Sequence, residues 1–453
     1  MKKAPRQTGS FFYHDLFCRR QEQVLQGEGM TDKKSIVQYD ALRIVPDEFA
    51  AVFGAQTPIL IADKNTWAAA GQGVYDAFAS AGTTPEKILF PDTDVYADYG
   101  QIEYIKKLLS TLDGVPLAVG SGSLNDIVKR ASFELKRAYA LVPTAPSVDG
   151  FAATGAAVSV DGFKTTLPCD SPRLIVADID VLRNAPADMI SAGYGDVFAK
   201  VPAGADWKIA ELLGIEAVDP AVWDIVQGPL KARIAHPELL LQRNGEAVRD
   251  FYTCLIDVGH AMEMYKDSRP ASGAEHLFSH ILEMDHLTYQ GKIVSHGFKV
   301  AIGTLISSAL MTEVLSFTPD TIIDSGRCVT DWDVRYRQIQ AAFDESLPSF
   351  GAIVEASRQK FCADRTEKIR TMLPQIQAAI RSQVYSFEQV KDMLRTAGCP
   401  VAFEDIGITG DVAAAAVRRA QMIRKRYTVL DLLYESGQLD RVIDRVTGSG
   451  EYF

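Results

Sequence analysis

Three histidines and one aspartate stand where their side chains can do chemistry together. In SGAEHLFSHILEM, residues 272–284, His276 and His280 lie four positions apart in a chain with only seven histidines. Positions i and i+4 of a helix share a face, so both imidazoles can enter one pocket. His296 follows in HGFKVAIGTL, on the next helix of an expected antiparallel pair, and Asp196 sits in AGYGDVFAK between Gly193/Gly195 and a helix. One carboxylate oxygen and two imidazole nitrogens hold a divalent cation and leave a coordination position open, which is what a Lewis-acid catalyst needs. Ser272 and Glu275 read as a capping box that starts the first of these helices near Gly273. Close to that N-terminus the helix dipole disfavours imidazolium, and a metal requires the neutral ring. Each residue alone reads equally well as a cap or a structural group; the combination carries the weight.

A second constellation is the turn Gly120-Ser121-Gly122-Ser123 with Leu124, placed between the apolar run PLAVG and a segment of helical periodicity. Glycines let a backbone approach a ligand closely, and the N–H groups and dipole at the start of the following helix attract a pyrophosphate. The third glycine of the usual dinucleotide fingerprint is missing, so the turn by itself is a weak signal. Asp63, at the end of ILIAD, is placed to accept hydrogen bonds from an adenosine.

These groups need a scaffold, and the hydrophobic pattern supplies one. Residues 58–65, 87–92, 116–120, 138–143 and 173–178 are short, continuously apolar runs separated by helical segments, which predicts a parallel sheet covered on both faces. An alternating pair of runs joined by Asp161-Gly162 predicts a hairpin over 155–167. After Pro186 the strand signals fade, and amphipathic helices are expected over 194–213, 248–266, 273–287, 292–316, 331–345, 352–380, 386–396 and 411–436. At 453 residues the chain exceeds one core, so two domains are expected behind an irregular extension in which Met30 offers an internal start. His260 and His286 read as structural, and His14 as exposed.

A net charge of -11 argues against a general nucleic-acid or anionic-membrane partner and favours a small molecule. No apolar run is expected to span a bilayer. Six scattered cysteines without a C-x-x-C pair suit free thiols in a reducing cytoplasm.

The stretches GSGSLNDIVKRAS, VPTAPSVDGFAATGAAV, AGYGDVFAKVPAGADW, SGAEHLFSHILEM, HGFKVAIGTL and RKRYTVLDLL together resemble the superfamily of iron-containing alcohol dehydrogenases, glycerol dehydrogenases and dehydroquinate synthases, and within it the sn-glycerol-1-phosphate dehydrogenases. The resemblance implies a dehydroquinate synthase-like fold: an α/β Rossmann-like domain over 38–185, after the extension 1–37, and an all-α metal- and substrate-binding domain over 186–453. It implies a metal on Asp196, His276 and His296, and substrate contacts from Asp149, Asp196 and His280. NAD(P) contacts would come from Asp63, Gly120 to Leu124, the Thr144-Ala145-Pro146-Ser147 stretch and Ala153.

Ala153 stands where relatives have a serine, which removes a hydroxyl contact to the cofactor. Lys200 stands where the iron-dependent enzymes have a further histidine ligand, which favours Zn²⁺ or Ni²⁺. The implied activity is metal-dependent, NAD(P)H-linked interconversion of dihydroxyacetone phosphate and sn-glycerol 1-phosphate by a homodimer. Glycerol dehydrogenase, dehydroquinate synthase and a nucleotide- or metal-binding protein without turnover are the alternatives.

Overall fold

The continuous apolar runs pair with one another in the computed structural model, which describes residues 33–91, 95–160, 163–322, 331–361 and 365–453. Strands β1 (Lys34–Gln38), β2 (Pro58–Ala62), β3 (Glu86–Leu89), β4 (Val115–Gly120), β5 (Ala140–Pro143) and β8 (Leu174–Asp178) form one sheet in the order β1-β8-β5-β4-β2-β3. Every pairing in it is parallel. Successive side chains leave the pleat on opposite faces. Ile59, Ile61, Ala118 and Leu141 accordingly pack with Ile102, Ile105, Ile127 and Val128, from the helices Tyr99–Leu109 and Gly122–Glu134. Leu60, Ala62, Val119 and Val142 pack on the other side with Val45, Phe49, Val74 and Phe78.

The edge strand β1 begins at Lys34, inside the segment read as an extension. It is short and partly exposed, with no long apolar run to announce it. The expected hairpin is β6 (Gly155–Val160) with β7 (Phe163–Pro168), antiparallel; its Asp161-Gly162 turn, like Met30 and His14, lies outside the described residues.

The chain beyond Pro186 is helical apart from a two-residue ladder between Thr288–Tyr289 and Lys292–Ile293 among the described residues. Three expected helices are interrupted, among them 194–213, which passes from the helix Ala187–Phe198 to Lys200–Leu212 at Ala199. The segment 352–380 is split between Phe350–Lys360 and Thr366–Gln383, and 411–436 between Gly410–Ala420 and Val429–Glu435. The helix His296–Leu315 is, against the sequence expectation, long and apolar enough to cross a bilayer, but 83% of that stretch is buried inside the molecule. Its apolarity serves a helix surrounded by other helices.

Candidate functional site: a cofactor cleft and a buried metal centre

The chain leaves β2 outward to β3 and then returns to β4 on the opposite side, so the strand order reverses between β2 and β4. Open α/β sheets bind ligands at the carboxyl ends of strands at such a point. A cavity of about 1190 Å³ lies there, lined among others by Asp63, Ser121, Ser123, Leu124, Thr144 and Ala145. Gly120, Gly122, Pro146, Ser147 and Ala153, also expected at the cofactor, do not line it. Gly122 serves packing instead: a Cβ there would come within 2.8 Å of Val148. Asp63 faces the cavity, but its Oδ1 accepts from Asn65 N at 2.7 Å and Thr66 N at 2.9 Å, capping the helical turn that follows.

The metal-ligating candidates arrive on three helices, Ala187–Phe198 with Asp196, Ala274–Met284 with His276 and His280, and His296–Leu315 starting at His296. The first and third approach with their backbones nearly touching. A Cβ on Gly297 would sit 1.9 Å from Ala192 O, and one on Gly195 2.6 Å from Gly297 O. Only the missing side chains permit this approach, which carries His296 to Asp196. One potential ligand atom each from Asp196, His276 and His296 lies within 4.8 Å of the others. His276 Nε2 is 3.3 Å from Asp196 Oδ1, and the ring centres of His276 and His296 are 5.4 Å apart. His280 stands beside them, its ring centre 6.2 Å from that of His296.

A second ring of charges orients the first. Glu275 Oε1 accepts from His276 Nδ1 at 2.9 Å, and Glu283 takes His296 Nδ1 on Oε1 at 2.8 Å and His280 Nδ1 on Oε2 at 3.0 Å. Each ring therefore directs Nδ1 to a carboxylate and turns Nε2 the other way, that of His276 toward Asp196; burial and Lys200 would lower the His276 pKa, but Asp196 and Glu275 raise it. Burial pushes the His280 pKa down to about 4, against the pull of Glu283, so that ring is neutral near pH 7. Burial opposes ionisation of Glu283, but the two histidines outweigh it and hold its pKa well below the usual range.

Lys200, fully buried, reaches Asp149 Oδ2 at 2.6 Å and Asp196 Oδ1 at 2.7 Å. Asp196 Oδ2 also accepts from Asp149 N at 3.0 Å. Burial would raise the Asp196 pKa, yet Lys200 and then His276 keep it ionised. The sequence reading missed Glu275, Glu283 and Lys200 in these roles, although the signals were present: Glu283 is i+3 from His280, and Lys200 is i+4 from Asp196.

The expected Ser272 capping box does not form. The N-cap is Gly273, without a side-chain cap. Glu275 turns to His276 and Gly273 N, and Asp206 Oδ2 from another helix accepts from Ala274 N at 2.8 Å. A buried orienting carboxylate and a tertiary partner have replaced the local motif.

Comparison with known proteins agrees with this architecture. Residues 37–186 match the family model for iron-containing alcohol dehydrogenase. Solved structures of a probable glycerol dehydrogenase from Sinorhizobium meliloti and of glycerol dehydrogenase from Schizosaccharomyces pombe share the fold, each with a TM-score of 0.57. They are 15% and 14% identical, cover 91% and 93% of this chain, and are themselves covered to 97% and 92%. The fold is thus that of the class of iron-containing alcohol dehydrogenases and glycerol dehydrogenases.

Glycerol-1-phosphate dehydrogenase (NAD(P)+) of Bacillus subtilis is 32% identical over 384 residues, 84% of this chain and 86% of the relative. The enzyme of the same name from Geobacillus thermodenitrificans is 30% identical over 83% of this chain and 86% of its own length. The chain belongs to the glycerol-1-phosphate dehydrogenase family.

Proposed function

We propose that the protein interconverts dihydroxyacetone phosphate and sn-glycerol 1-phosphate by NAD(P)H-linked hydride transfer, with one divalent metal on Asp196, His276 and His296. The observation that carries this reading is the convergence of those three side chains beside the loop that lines the cofactor cavity at Thr144 and reaches Asp196 at Asp149. The donor set fits such an ion: an ionised carboxylate and two imidazoles, each with its Nδ1 proton held by a buried glutamate. When bound, the metal supplies Lewis-acid polarisation of the substrate carbonyl, and the nicotinamide supplies the hydride.

The chain's own groups do the positioning. Asp149, fixed by Lys200, is oriented to accept from a substrate hydroxyl, and Asp196 is held by the same ammonium and by Asp149 N. His280, neutral and anchored by Glu283, accepts a substrate hydroxyl on Nε2. It takes up the proton there when the alcohol is oxidised and returns it on reduction.

Lys200 is committed to two carboxylates at the position of a further histidine ligand, which supports Zn²⁺ or Ni²⁺ over Fe²⁺. Asp40, Asp63, Asp76, Asp178 and Asp180 line the cavity against Arg43, a surface that disfavours a 2′-phosphate and so supports NADH over NADPH. A homodimer in a reducing cytoplasm completes the reading; the buried free thiols Cys169, Cys254 and Cys399 suit that compartment, and native mass spectrometry tests the dimer.

The function is tested by metal analysis of the purified protein alongside NADH oxidation with dihydroxyacetone phosphate and with unphosphorylated dihydroxyacetone. A stoichiometric metal without turnover of either ketone overturns the reading. Turnover of dihydroxyacetone alone transfers the protein to glycerol dehydrogenase chemistry.

A further inference from the structure

The helix Gly122–Glu134 faces the cofactor cavity with its first turn, where Ser123 and Leu124 line the wall. Two turns further along, about 10 Å at the helical rise, it carries Lys129, which has no exposed surface. Lys129 Nζ donates to Gly150 O at 2.7 Å and to Gly155 O at 3.0 Å, so one ammonium bridges the two ends of the 150–155 turn. Asp126, on the same helix, stands 3.5 Å from Lys129 Nζ and accepts from Ala157 N on its other oxygen at 3.3 Å. A second helix, Gly245–Tyr265, presses on this turn with the bare backbone of Gly259, where a Cβ would lie 2.9 Å from Ala152 Cβ.

What the turn positions is Asp149, the residue before it. Lys200 holds the Asp149 carboxylate at 2.6 Å and Asp196 accepts from Asp149 N at 3.0 Å, while Lys129 holds the carbonyl of the next residue, Gly150. Lys129 and Lys200 are the two lysines without exposed surface among the described residues. They grip one segment from two directions, the first from the helix after β4 and the second from the helices beyond Pro186. An apolar side chain of similar length would fill the space of Lys129 without the desolvation cost of an ammonium. What the charge adds is the direction of two strong hydrogen bonds.

We propose that Lys129 is a positioning residue for hydride transfer: through the 150–155 turn it sets Asp149, and the substrate hydroxyl that Asp149 receives, in register with the cofactor at the start of its own helix. The inference rests on the functional reading above, in which Asp149 contacts the substrate and the nicotinamide supplies the hydride. Lys129 does not line the cavity and acts through the carbonyls it holds. Transfer between two bound partners is steep in distance and direction, and a misplacement of about 1 Å costs on the order of a hundredfold in rate.

The test measures kcat, metal content and the NADH dissociation constant on the same preparations of wild type, Lys129→Met, Lys129→Arg and Arg130→Ala. Arg130 is the control, since it ties the same helix to the far end of the hairpin, at Pro168 O, 2.7 Å away. In Lys129→Met kcat is expected to fall about ten- to hundredfold while NADH affinity and metal content stay at wild-type values. Lys129→Arg, which keeps the charge and the donors, should regain part of the loss, and Arg130→Ala should match wild type. Where Lys129→Met does not fold, Lys129→Gln carries the same measurement. An unchanged kcat overturns the proposal, and so does a parallel loss of kcat, NADH binding and metal, the mark of a purely structural residue. Each kcat is read with whichever of dihydroxyacetone phosphate and dihydroxyacetone the wild type reduces. A wild type that reduces only the free ketone overturns the functional reading and leaves the Lys129 comparison intact; one that reduces neither overturns both.

Discussion

The cofactor cleft and the metal centre are built by different means. The cleft is made where a strand ends and a helix begins, from residues close in sequence such as Ser121, Ser123 and Leu124, and it is acidic. The proposed metal centre draws on Asp149, Asp196, Lys200, Glu275, His276, Glu283 and His296, which come from separate segments of the chain and are largely buried. In the cleft, local backbone geometry creates the site. In the centre, buried charges must be balanced by partners distant in sequence, because an uncompensated charge out of water is expensive. The lesson is that damage should be confined in the first case and should spread through the network in the second.

The largest expected effect breaks the centre outright. His276→Ala should lose metal and activity together, by about a thousandfold in turnover, while still binding NADH; elemental analysis and fluorescence titration of NADH check both halves. Next, Glu283→Gln removes the charge and leaves one acceptor oxygen for the two rings of His280 and His296, without replacing a proposed ligand. It should weaken metal affinity about ten- to hundredfold, read by competition with a chelator.

Gly122→Ala places a methyl within 2.8 Å of Val148 and should raise the KM for NADH several-fold while metal content stays at the wild-type level. If that variant also loses metal, the two regions are not independent. The smallest effect concerns Asp206, behind Glu275, whose pKa is pushed up to about 8 by burial and then by Glu275. Its folded pKa lies above the ordinary value of about 4, so its contribution to stability is complete below pH ~4. That contribution fades as pH rises and is gone above about 8. Melting curves from pH 5 to 9 should therefore decline less steeply in Asp206→Asn than in the wild type.

Much of this was legible in the chain. The runs at 58–62, 115–120 and 174–178 are apolar on both faces because helices cover both, and that pattern is visible without coordinates. The edge strand β1 was not visible, since an edge has less to bury. The periodicity of 411–436 looked continuous because residues 421–423 are buried even though they are not helical. The Ser272 capping box was a sound local rule overridden by a tertiary acceptor, Asp206, 68 residues from Ala274.

By itself the sequence determined the inner strands of the sheet, the glycine turn and the residue types able to hold a cation, since those follow from periodicity and from side-chain chemistry that every position carries with it. The tertiary structure alone decided which carboxylate orients which imidazole, and that Lys200 ties Asp149 to Asp196. It also decided that Arg419 and Arg426, on either side of the break after Ala420, are tied to the two ends of the helix Ala274–Met284. Pairings of this kind depend on which backbones approach one another, and here that approach is set by contacts as close as the one Gly297 allows against Ala192.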